Sequence, residues 1–128
     1  MANLFRLTPF MHVPDIDGAV RFFTDVLGFT CRFRTANYAY VQREAAAFRL
    51  LQNMGDDGAP PGNRRFCYYI DVEDLDAIHA ELKPQLASLN DGDVHGPVEQ
   101  IYGQRELMVL APDGNLIVFG EDIAVRRV

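Results

Sequence analysis

The sequence is short of cysteine, of positive charge and of long apolar runs. No stretch approaches the roughly 18 apolar residues of a membrane-spanning helix, and the N-terminus lacks the basic and apolar zones of a secretory signal. The chain has only two cysteines, Cys31 and Cys67, which indicates free buried thiols rather than a disulfide framework. Together these absences favour a cytoplasmic protein.

The charge balance limits the class of partner. Twelve Lys and Arg residues against eighteen Asp and Glu residues give a formal net charge of −6. Nucleic acid requires a cationic face for its phosphates, so the composition argues against a nucleic-acid-binding protein. A cationic small molecule is compatible with this charge, and so is an acidic surface that only maintains solubility.

Catalytic motifs are also missing. No catalytic triad, no pair of general acid and base and no glycine-rich phosphate loop is visible, so binding is a simpler function than catalysis. The three histidines do not suggest a metal cluster, because His12 falls on a predicted strand, His79 on a predicted helix and His95 in a predicted loop.

The clearest structural signal lies in the last third of the chain. Arg105–Ala111 and Asn115–Phe119 are typical of half-buried strands, and Pro112–Asn115 has the composition of a tight turn. Directly before this hairpin, Tyr102 and Gly103 place an aromatic ring beside a residue without a side chain. This pair predicts a platform for a flat ligand.

The other predicted elements fall into two similar series. The junction Val13–Asp17 resembles Val72–Asp76, 59 positions further on, and each contains an Asp that caps a predicted helix. The first series comprises a strand Leu4–Val13, a helix from Asp15 to Leu27, a strand Phe29–Thr35 and a hairpin of Tyr38–Arg43 and Ala46–Gln52. The second comprises a strand Phe66–Val72, a helix that Pro84 ends, weak strands Gln85–Asn90 and Val98–Ile101, and the final hairpin. We expect a single domain over residues 1–128, with module one at about 4–53, a linker at about 54–64 and module two at about 65–122.

The repeat and several local motifs are similar to those of one family. The motifs are Pro9, Asp15, the helix end Ala19–Phe29, Tyr102-Gly103, Arg105-Glu106 and the turn Pro112–Asn115. With them, the sequence resembles the vicinal oxygen chelate (glyoxalase/bleomycin resistance/dioxygenase) superfamily, and within it the bleomycin resistance proteins. The resemblance covers about Leu4 to Asp122. It implies an α+β fold of two βαβββ modules that form a curved mixed sheet around a cleft.

The resemblance also locates the positions where enzymes of the superfamily hold a divalent ion. These positions correspond here to Thr8, Cys67 and Val118, which match no usual coordination set. We therefore expect no metal, no cofactor and no catalytic residue, with a shifted site near His12 as the alternative.

The bleomycin resistance proteins imply a binding function. By this resemblance we expect metal-free sequestration of a bulky cationic aromatic antibiotic in grooves of a homodimer, with aromatic groove positions at Phe33, Tyr38 and Tyr102. Cys67 falls where that family has a large aromatic residue, and Tyr69 follows on the same face. With Gly103, these six residues are the predicted ligand-binding set. The chain has no Trp, which departs from the family.

Pro9 carries a further implication, because its place in the family implies exchange of the N-terminal strand between subunits, with Pro9 as the hinge. Two other functions stay open. One is a metal-dependent lyase, dioxygenase or thiol transferase of the same superfamily. The other is a binder of a different metabolite.

Overall fold

The computed structural model of the chain describes residues 3–52 and 66–123. The predicted linker at about 54–64 lies outside these residues. The first half of the chain contains β1 (Phe10–Val13), α1 (Ile16–Arg21), a π-helical turn (Phe22–Val26), β2 (Thr30–Arg34), β3 (Tyr38–Arg43) and β4 (Ala46–Gln52). The second half contains β5 (Cys67–Asp71), α2 (Leu75–Leu86), a 3₁₀ turn (Asp91–Asp93), β6 (Val94–Glu99), β7 (Gln104–Leu110) and β8 (Leu116–Asp122).

The strands form two four-stranded sheets with the same topology. The order is β1-β4-β3-β2 in one sheet and β5-β8-β7-β6 in the other. In each sheet the first and last strands of the module pair in parallel, and the other pairs are antiparallel. The chain divides into two compact units, Met1–Asn63 and Arg64–Val128. The predicted α+β fold of two βαβββ modules is therefore confirmed.

Both units begin their helix in the same way. Asp15 and Asp74 have extended backbones at the N-cap, and each carboxylate accepts a hydrogen bond from a backbone N–H in the first helical turn. In each unit the last strand supplies a second acceptor: Gln52 accepts from the N–H of Ile16 (2.8 Å), and Glu121 accepts from the N–H of Leu75 (2.7 Å). The paired helix-entry contacts support an origin by duplication.

Glu121 provides a test of this helix-entry contact. Its side chain is 4% exposed, so replacing it with Met leaves the N–H of Leu75 buried without its acceptor. We expect Glu121→Met to lower the free energy of unfolding by about 1–3 kcal/mol. Glu121→Gln retains an acceptor oxygen, as Gln52 does in the first unit, and should cost less than half as much. Urea denaturation of both variants measures the difference, and equal losses would contradict a hydrogen-bonding role.

Each unit has its own core on the helical side of its sheet. In the first unit, Phe23 contacts the rings of Phe22, Phe29 and Phe48 at centroid distances of 5.8, 5.1 and 5.3 Å. In the second unit, α2 packs on the sheet, where its buried leucines meet the inward residues of β7 and β8. The buried apolar side chains of this unit include Leu75, Leu82, Leu86, Leu107, Val109, Ile117 and Phe119.

The first strand is shorter than predicted. Of Leu4–Val13, only β1 (Phe10–Val13) is a strand, and it pairs with β4. The ladder begins where the N–H of Arg49 donates to the carbonyl of Pro9 (2.9 Å), and Pro9 has no N–H with which to continue the ladder towards the N-terminus. The side chains of Leu4, Phe5 and Leu7 are 95%, 88% and 86% exposed.

Three expectations for the second half were wrong. Helix α2 continues past Pro84 to Leu86, because a proline in the last turn removes only one hydrogen bond and Leu86 is buried. Gln85–Asn90 is therefore helix end and turn, not a strand. His95 was expected in a loop but lies on β6. The strand can run through Gly96 because glycine allows the β7 backbone to approach closely. A Cβ at Gly96 would lie 2.4 Å from the carbonyl oxygen of Glu106.

The two cysteines differ from expectation in burial. Cys31 is half-buried and Cys67 is exposed, and both are free thiols. No helix in the described part of the chain is both long and apolar enough to cross a membrane.

Candidate functional site

The open face of the second sheet forms a groove of about 510 Å³. Because side chains alternate along a strand, every second residue of β5, β7 and β8 points to this face. The groove is lined by Cys67, Tyr69, Tyr102, Gln104, Glu106, Met108, Leu116 and Val118. The lining residues are uncharged except for Glu106.

Tyr69 reaches across the sheet to form one wall of the groove. It projects from β5, passes over β8 at Gly120 and donates a hydrogen bond from its hydroxyl to Oε1 of Gln104 on β7 (2.9 Å). A Cβ at Gly120 would lie 1.9 Å from the Tyr69 hydroxyl oxygen and 2.2 Å from Cζ of the ring. The missing side chain at Gly120 is therefore what allows the ring to lie there.

Glu106 lines the groove and is 3% exposed. Its Oε2 accepts a hydrogen bond from the hydroxyl of Tyr102 (2.8 Å), and its Oε1 accepts one from Nε2 of Gln100 (3.2 Å). Both donors are neutral. The neighbouring Arg105 points to the other face of β7, where it forms an ion pair with Asp76.

The carboxylate changes the acidity of the groups around it. The hydrogen bond between Tyr102 and Glu106 is the main cause that raises the pKa of the Tyr102 phenol. Burial is the first cause that raises the pKa of Tyr69 and that of Cys67. For Tyr69, hydrogen bonding to Glu106 comes next, and for Cys67 the negative charge of Glu106 comes next. At neutral pH the two phenols and the thiol are therefore uncharged, and Tyr102 and Tyr69 act as hydrogen-bond donors.

Tyr102 lies in the turn between β6 and β7, and its side chain is 61% exposed. Gly103 follows with φ 88°, a conformation that glycine adopts without strain. The N–H of Gly103 donates to the carbonyl of Gln100 (3.1 Å), and its own carbonyl accepts from the N–H of Ile123 (3.0 Å). Gly103 is buried and sets the turn that presents the Tyr102 ring.

The first unit has an exposed aromatic row of its own. The ring of Tyr38 lies between Phe33 and Phe10, with centroid distances of 6.1 and 6.4 Å. Phe33 is 58% exposed and Phe10 is 50% exposed. Arg49 fixes Tyr38 by donating from Nη1 to its hydroxyl (2.8 Å). Two flat apolar rings at a sheet surface offer stacking area for a planar ligand.

The six predicted binding residues thus fall into two sets. Phe33 and Tyr38 lie together in the first unit. Cys67, Tyr69 and Tyr102 line the groove of the second unit, next to Gly103.

Three residues of these two surfaces were not predicted from the sequence as site residues: Gln104, Glu106 and Phe10. Alternation along β7 could have indicated Gln104 and Glu106 from the sequence. The two residues share a face of the strand opposite the buried Leu107 and Val109. Glu106 pairs with Val98 on β6 and with Gly120 on β8 and lies against Tyr102, so its burial depends on neighbouring segments and cannot be read from its own strand.

The residues at the superfamily's metal positions do not fit a divalent ion. Val118 has no ligand atom, and the hydroxyl of Thr8 accepts a hydrogen bond from the cationic Nε of Arg49 (2.9 Å). Cys67 lines an otherwise apolar part of the groove. Within residues 3–52 and 66–123, no group of three His, Cys, Asp or Glu side chains is placed to hold a metal ion.

The repeated topology and the groove on the open sheet face define a class of small α+β proteins with paired modules. Residues 7–119 match the family model of the Glyoxalase/Bleomycin resistance protein/Dioxygenase superfamily. The chain belongs to this superfamily, as its motifs predicted. No curated protein sequence matches it.

Solved structures with the same fold include binding proteins and an enzyme. The bleomycin-binding protein of bleomycin-producing Streptomyces verticillus, solved with copper(II)-bleomycin, is 26% identical with a TM-score of 0.73, covering 93% of this chain and 97% of that one. A bleomycin resistance determinant encoded on transposon Tn5 is 23% identical, with a TM-score of 0.71 and coverages of 91% and 97%. Lactoylglutathione lyase from Agrobacterium tumefaciens is 15% identical, with a TM-score of 0.69 and coverages of 96% and 98%. The fold is therefore shared by proteins of different function.

Proposed function

We propose that this protein binds a bulky, cationic, partly aromatic antibiotic of the bleomycin type and holds it without chemical change, in the cytoplasm. The observation that carries the proposal is the groove of the second unit, where Tyr69 and Tyr102 flank the buried carboxylate of Glu106. The similarity to a bleomycin-binding protein over nearly the whole chain supports the choice of ligand.

The chemistry of the two aromatic surfaces suits such a ligand. A planar heteroaromatic group that stacks on an aromatic ring gains about 0.5–1.5 kcal/mol beyond the burial of its area. A positive charge over the face of Tyr69 or Tyr102 gains about 0.5–2 kcal/mol, depending on its desolvation. Phe33 and Tyr38 offer a second stacking surface, and Cys67 leaves open space at the β5 end of the groove.

The hydroxyl and thiol groups of the groove favour binding over catalysis. The phenols of Tyr69 and Tyr102 and the thiol of Cys67 have raised pKa values, so none is a ready base or nucleophile at neutral pH. Sequestration requires none of these groups to react.

We also propose a homodimer in which residues 2–8 of each chain pair with the sheet of the other, with Pro9 as the hinge. The apolar side chains of Leu4, Phe5 and Leu7 support this assembly, because all three are exposed within one chain. Exchange of identical segments buries such side chains at little additional cost.

Calorimetric titration of metal-free and copper-bound bleomycin into chelator-treated protein tests the function. We expect submicromolar affinity, a binding free energy beyond about −8 kcal/mol, with one ligand per protomer. Tyr102→Ala should weaken binding about tenfold or more, because it removes a stacking ring.

Ile101 provides a matched control for this titration. It is the neighbouring turn residue, it is fully exposed, and it does not line the groove. Ile101→Ala should leave the affinity unchanged. No heat from bleomycin at roughly tens of micromolar would remove bleomycin as the ligand and turn the search to other metabolites.

A further inference from the structure

Glu106 is a buried carboxylate without a matching positive charge. Arg34 pairs with Asp17, Arg43 with Glu44 and Arg105 with Asp76, and no cationic side chain of the described residues forms an ion pair with Glu106. Burial of a carboxylate is costly unless the charge is paired and hydrogen-bonded. The groove of the second unit therefore contains a buried carboxylate that no described cationic side chain pairs with.

The hydrogen bonds of Glu106 leave room for another donor. An ionised carboxylate offers about four acceptor positions, and the groups at Glu106 are the Tyr102 hydroxyl, the Gln100 amide and the Tyr69 hydroxyl, so at least one position is left. A cationic N–H group forms a hydrogen bond with a carboxylate that is roughly twice as strong as one from a neutral donor. A cationic group of a ligand that replaced a neutral donor would therefore form a stronger hydrogen bond with Glu106.

Tyr102 is the donor best placed to be replaced. Its side chain is more than half exposed and is carried by a turn, and the neighbouring Ile101 makes no buried contact. Rotation of the Tyr102 side chain breaks one hydrogen bond, uncovers Oε2 of Glu106 and leaves the ring free to stack on the incoming group.

We propose that Glu106 binds the cationic group of the ligand, at a position that the Tyr102 hydroxyl occupies in the free protein. The proposal rests on the proposed function and specifies the chemistry that the groove selects. The preferred group is a planar amidinium or guanidinium, or a primary ammonium, attached to a flat apolar body. Its N–H donors pair with the carboxylate, and its body lies against Tyr69, Met108 and Val118. Anions are rejected by the same charge.

Two isosteric probes test the proposal without bleomycin. Benzamidine and benzamide have nearly the same shape, but only benzamidine is cationic. Their affinities can be measured by NMR titration that follows the Met108 methyl signal. We expect benzamidine to bind at least about tenfold more tightly, which is the factor that a hydrogen bond to a charged group contributes. Glu106→Gln preserves the shape and should remove this preference, and a folded Glu106→Gln variant that keeps it would overturn the proposal.

Tyr102→Phe gives a second test that does not alter the buried carboxylate. It removes the competing hydroxyl and keeps the ring, so we expect it to bind benzamidine several-fold more tightly and benzamide as before. Unchanged or weaker benzamidine binding would overturn the proposal. Bleomycin titration distinguishes the two hypotheses: binding of bleomycin without a benzamidine preference contradicts only the role of Glu106. A benzamidine preference without bleomycin binding contradicts only the proposed ligand.

Discussion

Gly120→Ala should lower the affinity for copper-bound bleomycin at least about tenfold while leaving the fold intact. The added Cβ would lie within about 2 Å of the Tyr69 hydroxyl and ring, so the ring must leave its place across β8. The hydrogen bond from Tyr69 to Gln104 is then lost, and the groove loses one wall.

The expected change in stability is much smaller than the change in binding. Loss of the Tyr69 hydrogen bond costs about 0.5–1.5 kcal/mol. Replacement of a strand glycine by alanine returns about 0.5–1 kcal/mol through the entropy of the unfolded chain. Because the two effects nearly cancel, thermal unfolding should be almost unchanged, and the loss of binding can be assigned to the groove.

Two comparisons isolate the cause. Gly92→Ala is the matched control, since a Cβ at Gly92 meets no atom within 4 Å. Adding Gly120→Ala to a Tyr69→Ala variant should cause no further loss, because both changes remove the same ring from the same place. If the second substitution weakened binding again, Gly120 would act by some route other than Tyr69.

Alkaline titration reports the position of Tyr69 independently of any ligand. Its raised pKa means that the folded state favours the protonated phenol. The corresponding stability is complete below about pH 10, the value in the unfolded chain, and is lost as the pH rises towards the folded-state pKa. Gly120→Ala should return one tyrosine to ordinary ionisation, visible in the absorbance of tyrosinate. It should also make the loss of stability above about pH 10 less steep.

The sequence was most informative where local signals agree with the tertiary structure. The hairpin Tyr38–Arg43 and Ala46–Gln52 was predicted with its observed bounds, because alternation and strand propensity point to the same register. The final hairpin was predicted for the same reason, with Gly114 at φ 92° in the turn. The family assignment follows from motifs on these same elements.

The failures have a common physical origin in contacts that come from another part of the chain. A proline usually ends a helix, but α2 runs on past Pro84 because Leu86 is buried in the core. Gly96 and Pro97 were predicted to lie in a loop because of their residue types. In the structure they belong to β6, where Gly96 allows the backbone of β7 to approach closely. From its own strand, Glu106 is interpreted as a surface charge, whereas in the structure it is buried between β6 and β8 and beneath Tyr102.

Removal of residues 1–8 should convert a dimer into a monomer. Within one chain, the hydrogen bonds of residues 3–8 are made by the side chains of Arg6 and Thr8, and Leu4, Phe5 and Leu7 are exposed. Full burial of such a side chain against another subunit contributes roughly 1.5–3 kcal/mol. The segment therefore accounts for a substantial part of the expected association energy.

Size-exclusion chromatography with light scattering measures the change in mass. A full-length variant with Leu4, Phe5 and Leu7 all replaced by Ser is the matched control for chain length, and it should dissociate as the truncated chain does. The melting temperature of the unaltered protein should rise with protein concentration, whereas that of both variants should not, because only a dimer couples folding to association. A stable dimer after truncation would overturn the exchange of the arm. It would leave the groove around Glu106 untouched, since that groove is built entirely from residues of the second unit.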